Sequence, residues 1–261
     1  MPSPHAIYEQ DGPLAFLTFN RPEARNAMTW EMYHAVVTCC DTIETEATVK
    51  LLILRGAGGK AFVAGTDISQ FRTFTSPEAG LEYEQRLDEV IDRLESVSKP
   101  TIAQIDGVAT GGGCALAAAC DLRVCTPTSR FGVPIARTLG NCLSTANHTR
   151  FLNLIGPARL KDLMFTGRIL DAEEALAIGL VNRIVDASQL DQVTRELASS
   201  ITANAPLTIK ATKEMIRRIQ ANHRLPSDDT HDLITMCYTS NDFKEGVDSF
   251  LTKRKPHWTG S

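Results

Sequence analysis

The chain has 261 residues, of which 43% are hydrophobic and 22% charged, with a formal net charge of −4. This length accommodates one large α/β domain, with or without a helical appendage. The slightly negative charge gives no basis for binding nucleic acid or an acidic membrane surface, so we expect neither partner. Its seven cysteines lack the paired spacing of a zinc site, which predicts no metal and reduced thiols in the cytoplasm.

Strands and helices alternate in the first part of the chain. Strands are expected at 6–9 and 14–19, paired as a hairpin, and at 50–55, and helices are expected at 29–46 and 76–96. Thr29 is a good N-cap for the first helix, and Pro77 suits the first position of the second. Strands separated by helices predict right-handed β–α crossovers and a largely buried parallel sheet.

Residues 101–120 carry the strongest indication of a functional site. Thr101–Ile105 is rich in β-branched residues and predicts a buried strand. No charged residue occurs between Gly111 and Cys120, which predicts a helix buried on every side. Its three initial glycines leave unpaired N–H groups at the positive end of the helix dipole, a site for an anion or a developing negative charge. Alternatively, small residues here only allow close helix packing.

After a strand at Leu122–Cys125 and an extended piece at 130–134, the sequence turns helical from about Thr145. The helices expected there lie at 145–155, 158–165, 172–178, 187–203, 206–221, 229–239 and 241–251. We divide the chain into an α/β core at residues 1–195 and a helical region at 196–261.

Several motifs together resemble the crotonase (enoyl-CoA hydratase/isomerase) superfamily in order and spacing. They lie at 20–27, 61–69, 105–114, 120–121, 131–134, 167–182, 210–213 and 245–255. The resemblance implies an α/β fold, a spiral of ββα units with a helical C-terminal region that mediates assembly into a homotrimer or hexamer. It also implies an acyl-CoA thioester as substrate and no separate cofactor, because coenzyme A is part of that substrate.

By the same resemblance, the backbone N–H groups of Thr66 and Gly112 form an oxyanion hole around the thioester oxygen. Because only the N–H would act, we expect the side chain of Thr66 to be replaceable. The substrate-binding positions that the resemblance implies are Ala24, Arg25, Ala64, Asp67, Ile68, Ser69, Phe250 and Lys253. Of these, Asp67 has an alternative role in holding its loop, and Lys253 in a solvated basic tail.

The sequence departs from the family at the two glutamates that carry out acid and base chemistry in the hydratases. Their matching positions are Ala115 and Ile135, or Ala136 if the second match shifts by one residue. None of these side chains carries a proton, and a positioned acid or base is worth roughly 10²–10⁴ in rate.

Several residues near these positions are candidate substitutes for the missing acid and base. Arg137 is a candidate to bind a substrate carboxylate, and His148 is a candidate acid or base, with a surface ion pair and a helix-capping role as the respective alternatives. Glu82 and Glu84, on the helix after the oxyanion loop, are weaker candidates, since half of that helix's charges are expected to be solvated. Cys142 is interpreted as a buried small residue.

The resemblance therefore predicts an enzyme like an enoyl-CoA hydratase or isomerase of fatty acid metabolism, a lyase or isomerase that stabilises an enolate but lacks both glutamates. An acyl-CoA decarboxylase-like or thioesterase-like reaction, or CoA-thioester binding without catalysis, is the alternative. A dinucleotide enzyme or a serine hydrolase is disfavoured, because neither G-x-G-x-x-G nor G-x-S-x-G occurs.

Overall fold

The computed structural model describes residues 4–73 and 76–261, and its first part repeats a strand–strand–helix unit. The strands are β1 Ala6–Asp11, β2 Leu14–Phe19, β3 Leu51–Gly56, β4 Ala61–Val63, β5 Thr101–Ile105, β6 Val108–Thr110, β7 Leu122–Cys125, β8 Arg130–Gly132, β9 Leu170–Asp171 and β10 Arg183–Ile184. The helices are α1 Trp30–Thr45, α2 Pro77–Glu95, α3 Gly112–Ala119, α4 Ile135–Thr138, α5 Thr145–Thr166, α6 Ala172–Ala177, α7 Leu190–Thr202, α8 Pro206–Ala221, α9 His231–Tyr238 and α10 Asn241–Leu251. Short 3-10 helices lie at Pro22–Ala24, Ile68–Thr73, Ala187–Gln189 and Ser227–Thr230.

Within the described residues the strands form two sheets. The six-stranded sheet has the order β1-β2-β3-β5-β7-β10, antiparallel between β1 and β2 and parallel elsewhere. This confirms the predicted hairpin and parallel sheet. The second sheet, β4-β6-β8-β9, was not predicted, because β4, β6 and β8 have three residues each and are too short to show a period.

The larger sheet is buried on both faces. Phe16 and Ile53 point to one face, where α7 covers them, while Leu17 and Leu54 on the same strands pack into the main core. This explains why β2 and β3 read as continuous apolar runs rather than alternating ones. The predicted α/β class is thus confirmed, with the ββα unit repeated from β1 to α4.

Thr29 caps α1 as expected, and Ser144 caps α5. The hydroxyl of Thr29 accepts a hydrogen bond from the Met32 N–H at 3.3 Å, and that of Ser144 accepts one from Asn147 at 3.2 Å. The two helices predicted at 145–155 and 158–165 are joined in α5, which kinks at Gly156, where φ is +75°. Pro157 fits this kink, since it cannot donate to the helix ladder.

Both ends of α3 are fixed by close contacts. Gly111 precedes it with φ +53°, and a Cβ on Gly113 would lie 2.0 Å from the Val63 carbonyl oxygen, so α3 begins directly against β4. At its C-terminal end Arg123, only 3% exposed, donates from Nη1 to the Ala117 carbonyl at 3.1 Å and from Nε to Leu180 at 2.7 Å. This cation donates to a carbonyl in the last turn of the helix and complements the negative end of its dipole.

The predicted helical C-terminal region is present and folds back over its own chain. Tyr238 on α9 packs on Gly80 of α2, where a Cβ would approach the ring to 2.5 Å. Phe243 on α10 lies 5.9 Å from the ring of Phe71 in the 3-10 helix after β4. Among residues 4–73 and 76–261, none of the helices has the length and apolar character needed to cross a membrane.

Candidate active site

The loop after β4 meets the start of α3. A Cβ on Gly111 would lie 3.7 Å from the Cα of Gly65, and one on Gly112 would lie 3.4 Å from the hydroxyl oxygen of Thr66. In the described part of the chain, neither the Thr66 N–H nor the Gly112 N–H has a hydrogen-bond acceptor. The structure therefore brings together the two segments whose N–H groups the resemblance assigned to one site.

Backbone pairing aligns this loop with residues 24–28. The Ala64 N–H donates to the Arg25 carbonyl at 3.1 Å, the Met28 N–H to Gly65 at 2.8 Å, and the Asp67 N–H to Met28 at 2.9 Å. The implied substrate-binding positions Ala24, Arg25 and Ala64 therefore lie beside Thr66. Of these, Arg25 is exposed, whereas Ala24 and Ala64 are half-buried.

Asp67 holds the loop in place. Its carboxylate accepts hydrogen bonds from Arg21 Nη1 at 2.8 Å and from the Ser69 hydroxyl at 2.7 Å. Burial opposes ionisation, but the hydrogen bonds from Ser69 and Arg21 prevail and lower the pKa of Asp67. Ile68 beside it is buried, and Ser69 is exposed. The loop-holding role considered for Asp67 is therefore visible in its contacts.

Phe250 and Lys253 lie on the surface at the end of α10. Phe250 is 50% exposed, and Lys253 is exposed with φ +56° just after the helix ends. The structure does not bring them to the buried Thr66 within one chain. The family resemblance implies that these two positions contact the ligand of a neighbouring subunit.

The positions of the two missing glutamates hold apolar side chains. Ala115 is fully buried one turn after Gly112, and its N–H bonds the Gly111 carbonyl at 3.1 Å. Ile135 is the half-buried first residue of α4 and packs against the core. In residues 4–73 and 76–261, no three His, Cys, Asp or Glu side chains group as a metal site.

The two candidate substitutes differ in their surroundings. Arg137 is exposed on α4, and no ion pair links it to another described residue. His148 is half-buried on α5, with Nδ1 3.0 Å from the Ser144 carbonyl oxygen. Since a carbonyl only accepts, Nδ1 carries the hydrogen and the imidazole is engaged in its own helix. Cys142 is half-buried, and its thiol lies beside that of Cys237.

A group of three hydroxyls beside Gly112 was missed by sequence reasoning. The Thr66 hydroxyl lies 2.8 Å from that of Tyr33 and 2.7 Å from that of Tyr83. Burial raises the pKa of Tyr33 above its usual range, so it stays a neutral hydroxyl. Alanine at position 66 would remove the hydroxyl that Tyr33 and Tyr83 share, so the side chain has a role that sequence analysis did not anticipate.

Glu84 is buried, unlike the solvated helix charges expected from the sequence. It is 1% exposed, and its oxygens accept from the Tyr238 hydroxyl at 2.6 Å and the Ser144 N–H at 2.8 Å. Asn141 Nδ2 in turn donates to the Tyr238 oxygen at 3.1 Å. Burial, helped by the charge of Asp88, raises the pKa of Glu84 to about 8. Glu82, in contrast, is exposed.

Comparisons with known proteins agree with this geometry. The sequence matches the family described as enoyl-CoA hydratase/isomerase over residues 9–261. The short-chain-enoyl-CoA hydratase of Clostridium acetobutylicum is 36% identical over 252 residues, 96% of each chain. The crystal structure of an enoyl-CoA hydratase/carnithine racemase from Magnetospirillum magneticum has a TM-score of 0.80 at 31% identity, covering 100% of this chain and 97% of that one. A methylmalonyl-CoA decarboxylase in complex with 2-nitronate-propionyl-CoA has a TM-score of 0.90 at 27% identity, covering 98% and 99%. The resemblance seen in the motifs is thereby confirmed along nearly the whole chain.

The raised pKa of Glu84 makes the stability of the fold depend on pH. Between its ordinary value of 4.5 and about 8, the folded chain binds one proton more than the unfolded chain. Stability therefore falls as pH rises through this window, by about 1.4 kcal/mol per pH unit relative to Glu84→Gln. Urea unfolding of both proteins from pH 5 to pH 9 measures the difference, with the exposed Glu82→Gln as control. A difference that does not change with pH would contradict this assignment.

Proposed function

Because the chain belongs to the enoyl-CoA hydratase/isomerase family, we propose that it binds an acyl-CoA thioester with the carbonyl oxygen between the Thr66 and Gly112 N–H groups. The observation that carries the proposal is the pair of unpaired N–H groups on two segments in contact. Gly112 opens a buried helix, so its N–H also lies at the positive end of the dipole. Two such donors favour a negatively charged oxygen over a neutral carbonyl.

The proposed catalytic effect is stabilisation of a thioester enolate. When the electron pair at the α carbon moves into the carbonyl, the oxygen becomes an anion and its hydrogen bonds strengthen. Loss of one such donor costs about 3–4 kcal/mol of barrier in comparable sites. The hydroxyls of Tyr33 and Tyr83 support the pair, because they fix the side chain of Thr66 and with it the orientation of the loop.

Alkene hydration additionally needs a base to activate water and an acid to protonate carbon. Ala115 and Ile135 can supply neither function. We therefore assign the protein enolate chemistry without efficient hydration by the usual two-carboxylate route.

Decarboxylation of a carboxyacyl-CoA is the second candidate, and three considerations favour it. Loss of CO₂ leaves its bonding electrons on the α carbon and forms the enolate directly, so the vacancy at Ala115 and Ile135 does not impede it. The methylmalonyl-CoA decarboxylase named above is similar over 98% of this chain. Arg137 follows Ile135 on the same short helix and has no ion-pair partner among the described residues, which leaves its cation for a substrate carboxylate.

A comparison of two substrates tests this function. We expect crotonyl-CoA to bind but to be hydrated at least about 100-fold more slowly than by a hydratase that has both glutamates. Methylmalonyl-CoA should release CO₂ if decarboxylation is the reaction. Calorimetric binding, loss of the alkene absorbance and CO₂ release measure the three quantities. Hydration at the rate of an ordinary hydratase would contradict the role of the vacated positions, and absence of binding would contradict the function itself.

The proposed assembly, a homotrimer or hexamer, is supported by apolar side chains that the single chain leaves exposed. Helix α8 has no buried residue. The exposed apolar side chains of α8, α9 and α10 are Leu207, Met215, Ile216, Ile219, Leu233, Met236 and Phe250. Exposed apolar surface of this extent is typical of a protein interface.

We expect light scattering at micromolar concentration to give three or six times the 28.5 kDa of one chain. Association buries the apolar side chains of the C-terminal helices, so Met215→Glu with Ile219→Glu should shift the mass toward one chain. Glu214→Gln on the same helix serves as the control. A mass of one chain for the unmodified protein would contradict the assembly.

A further inference from the structure

We propose that Glu84 and Tyr238 form a proton relay that carries out the proton transfer which Ala115 and Ile135 cannot. The relay connects a surface cavity with the acyl site, which is the space beside Thr66 and Gly112 where the acyl group of the bound thioester lies. The proposal rests on the proposed function, because it concerns the proton that a thioester enolate gains or loses. Its evidence lies in the surroundings of one buried carboxyl, on its solvent side and on its substrate side.

No cation in residues 4–73 and 76–261 pairs with Glu84 to offset its burial. Among the described residues its carboxyl accepts hydrogen bonds only from the Tyr238 hydroxyl and the Ser144 N–H. A buried carboxyl with neutral partners is costly to ionise, and it is held near the point where it can take or give a proton. Such groups occur preferentially at sites of proton transfer.

On the solvent side, Glu84 lines a cavity of about 510 Å³. Asp88, Ser144 and His231 line it as well, and exposed residues such as Gln85 and Asp228 bring it to the surface. The wall is polar and the cavity has room for many water molecules. The cavity thus provides water beside the residue that would take and give the proton.

On the substrate side, Tyr238 contacts two residues, Asn141 and Tyr83, that belong to different segments near the acyl site. Asn141, whose amide bonds the Tyr238 oxygen, follows a turn in which the Gly140 N–H donates to the Ile135 carbonyl at 2.8 Å. The Oδ1 atom of Asn141 is buried and has no partner within the described residues. The ring of Tyr238 lies 6.2 Å from that of Tyr83, whose hydroxyl contacts Thr66. Tyr238 is therefore in contact with the segment that follows Ile135 and with the tyrosine that supports Thr66.

The proposed proton transfer needs no co-reactant, because each group that gives up a proton is matched by one that accepts it. As the α C–H bond of a bound acyl-CoA breaks, its proton passes to the Tyr238 oxygen while the Tyr238 hydroxyl proton passes to the Glu84 carboxylate. The electron pair moves into the enolate, whose oxygen accepts from Thr66 and Gly112. The reverse sequence protonates an enolate formed by any route, and Glu84 is reset by water in the cavity. In this proposal Tyr238 is the catalytic residue, and Glu84 acts through it by accepting its proton in the forward step and returning it in the reverse step.

The pH dependence follows from the groups around Glu84. Burial and Asp88 raise its pKa to about 8, so proton abstraction should increase with pH through that value. Burial also raises the pKa of Tyr238, which keeps it protonated between transfers. The other titratable groups that face Glu84 or line its cavity are Tyr33, Tyr83, Asp88, Glu89, Asp92, Cys142, Arg224, Asp228 and His231.

Exchange of the α hydrogens of butyryl-CoA in D₂O, followed by mass spectrometry, tests the relay. We expect the unmodified protein to exchange them at a rate that increases with pH around 8. Glu84→Gln and Tyr238→Phe should each slow exchange at least about 100-fold and abolish the pH dependence, with butyryl-CoA affinity unchanged within about twofold. Glu82→Gln, the same substitution on the exposed side of α2, should change neither property.

Calorimetric binding of butyryl-CoA separates the possible failures. Binding without exchange in the unmodified protein would overturn the relay and leave the proposed function standing. Exchange in Glu84→Gln at the unmodified rate would do the same. Absence of binding would overturn both. Should Glu84→Gln fail to fold, Tyr238→Phe decides, since it keeps the ring that packs on Gly80 and removes only the hydroxyl.

Discussion

The contact between the start of α3 and the end of β4 is the constraint on which the site depends. A Cβ on Gly113 would overlap the Val63 carbonyl, so the helix can begin here only as glycine. This approach puts the first turn of a buried helix beside Thr66, with the Thr66 and Gly112 N–H groups unpaired within the described residues. At the other end of α3, Arg123 donates a hydrogen bond to a backbone carbonyl of the helix. The N–H groups of the first turn are the ones that the proposed function assigns to a ligand.

The ionisable chemistry lies on α2 rather than on α3. Successive residues of α2 serve the two halves of the site, because Tyr83 bonds Thr66 while Glu84 bonds Tyr238. Helix α9 therefore packs on the helix that supports Thr66, in addition to carrying exposed apolar residues proposed for assembly. In the proposed relay, Glu84 acts through Tyr238, unlike the glutamates that the resemblance places at positions 115 and 135.

The sequence predicted the elements that have strong local signals. Thr29, Pro77 and the uncharged run after Gly111 determined helix positions correctly, because capping, proline placement and all-round apolarity are properties of short segments. The pairing of Thr66 with Gly112 came from the motif resemblance, and the structure brings their segments together.

The tyrosines and Glu84 could not be placed from the sequence. Tyr33 and Tyr83 occur at helical spacing among apolar residues, as core aromatics do, and nothing local shows that their hydroxyls meet on Thr66. Glu84 stands among other charges on an amphipathic helix. Its burial results from Tyr238, which lies 154 residues later in the chain.

The most direct test of the central claim is the absorbance spectrum of 2,4-hexadienoyl-CoA bound to the protein. Two N–H donors on the thioester oxygen polarise the conjugated acyl group, so the account predicts a shift to longer wavelength on binding. Thr66→Pro, which deletes one donor, should reduce the shift, whereas Thr66→Ser keeps both the N–H and the hydroxyl and should retain it. A saturated complex of the unmodified protein whose spectrum equals that of the free thioester would contradict the oxyanion hole.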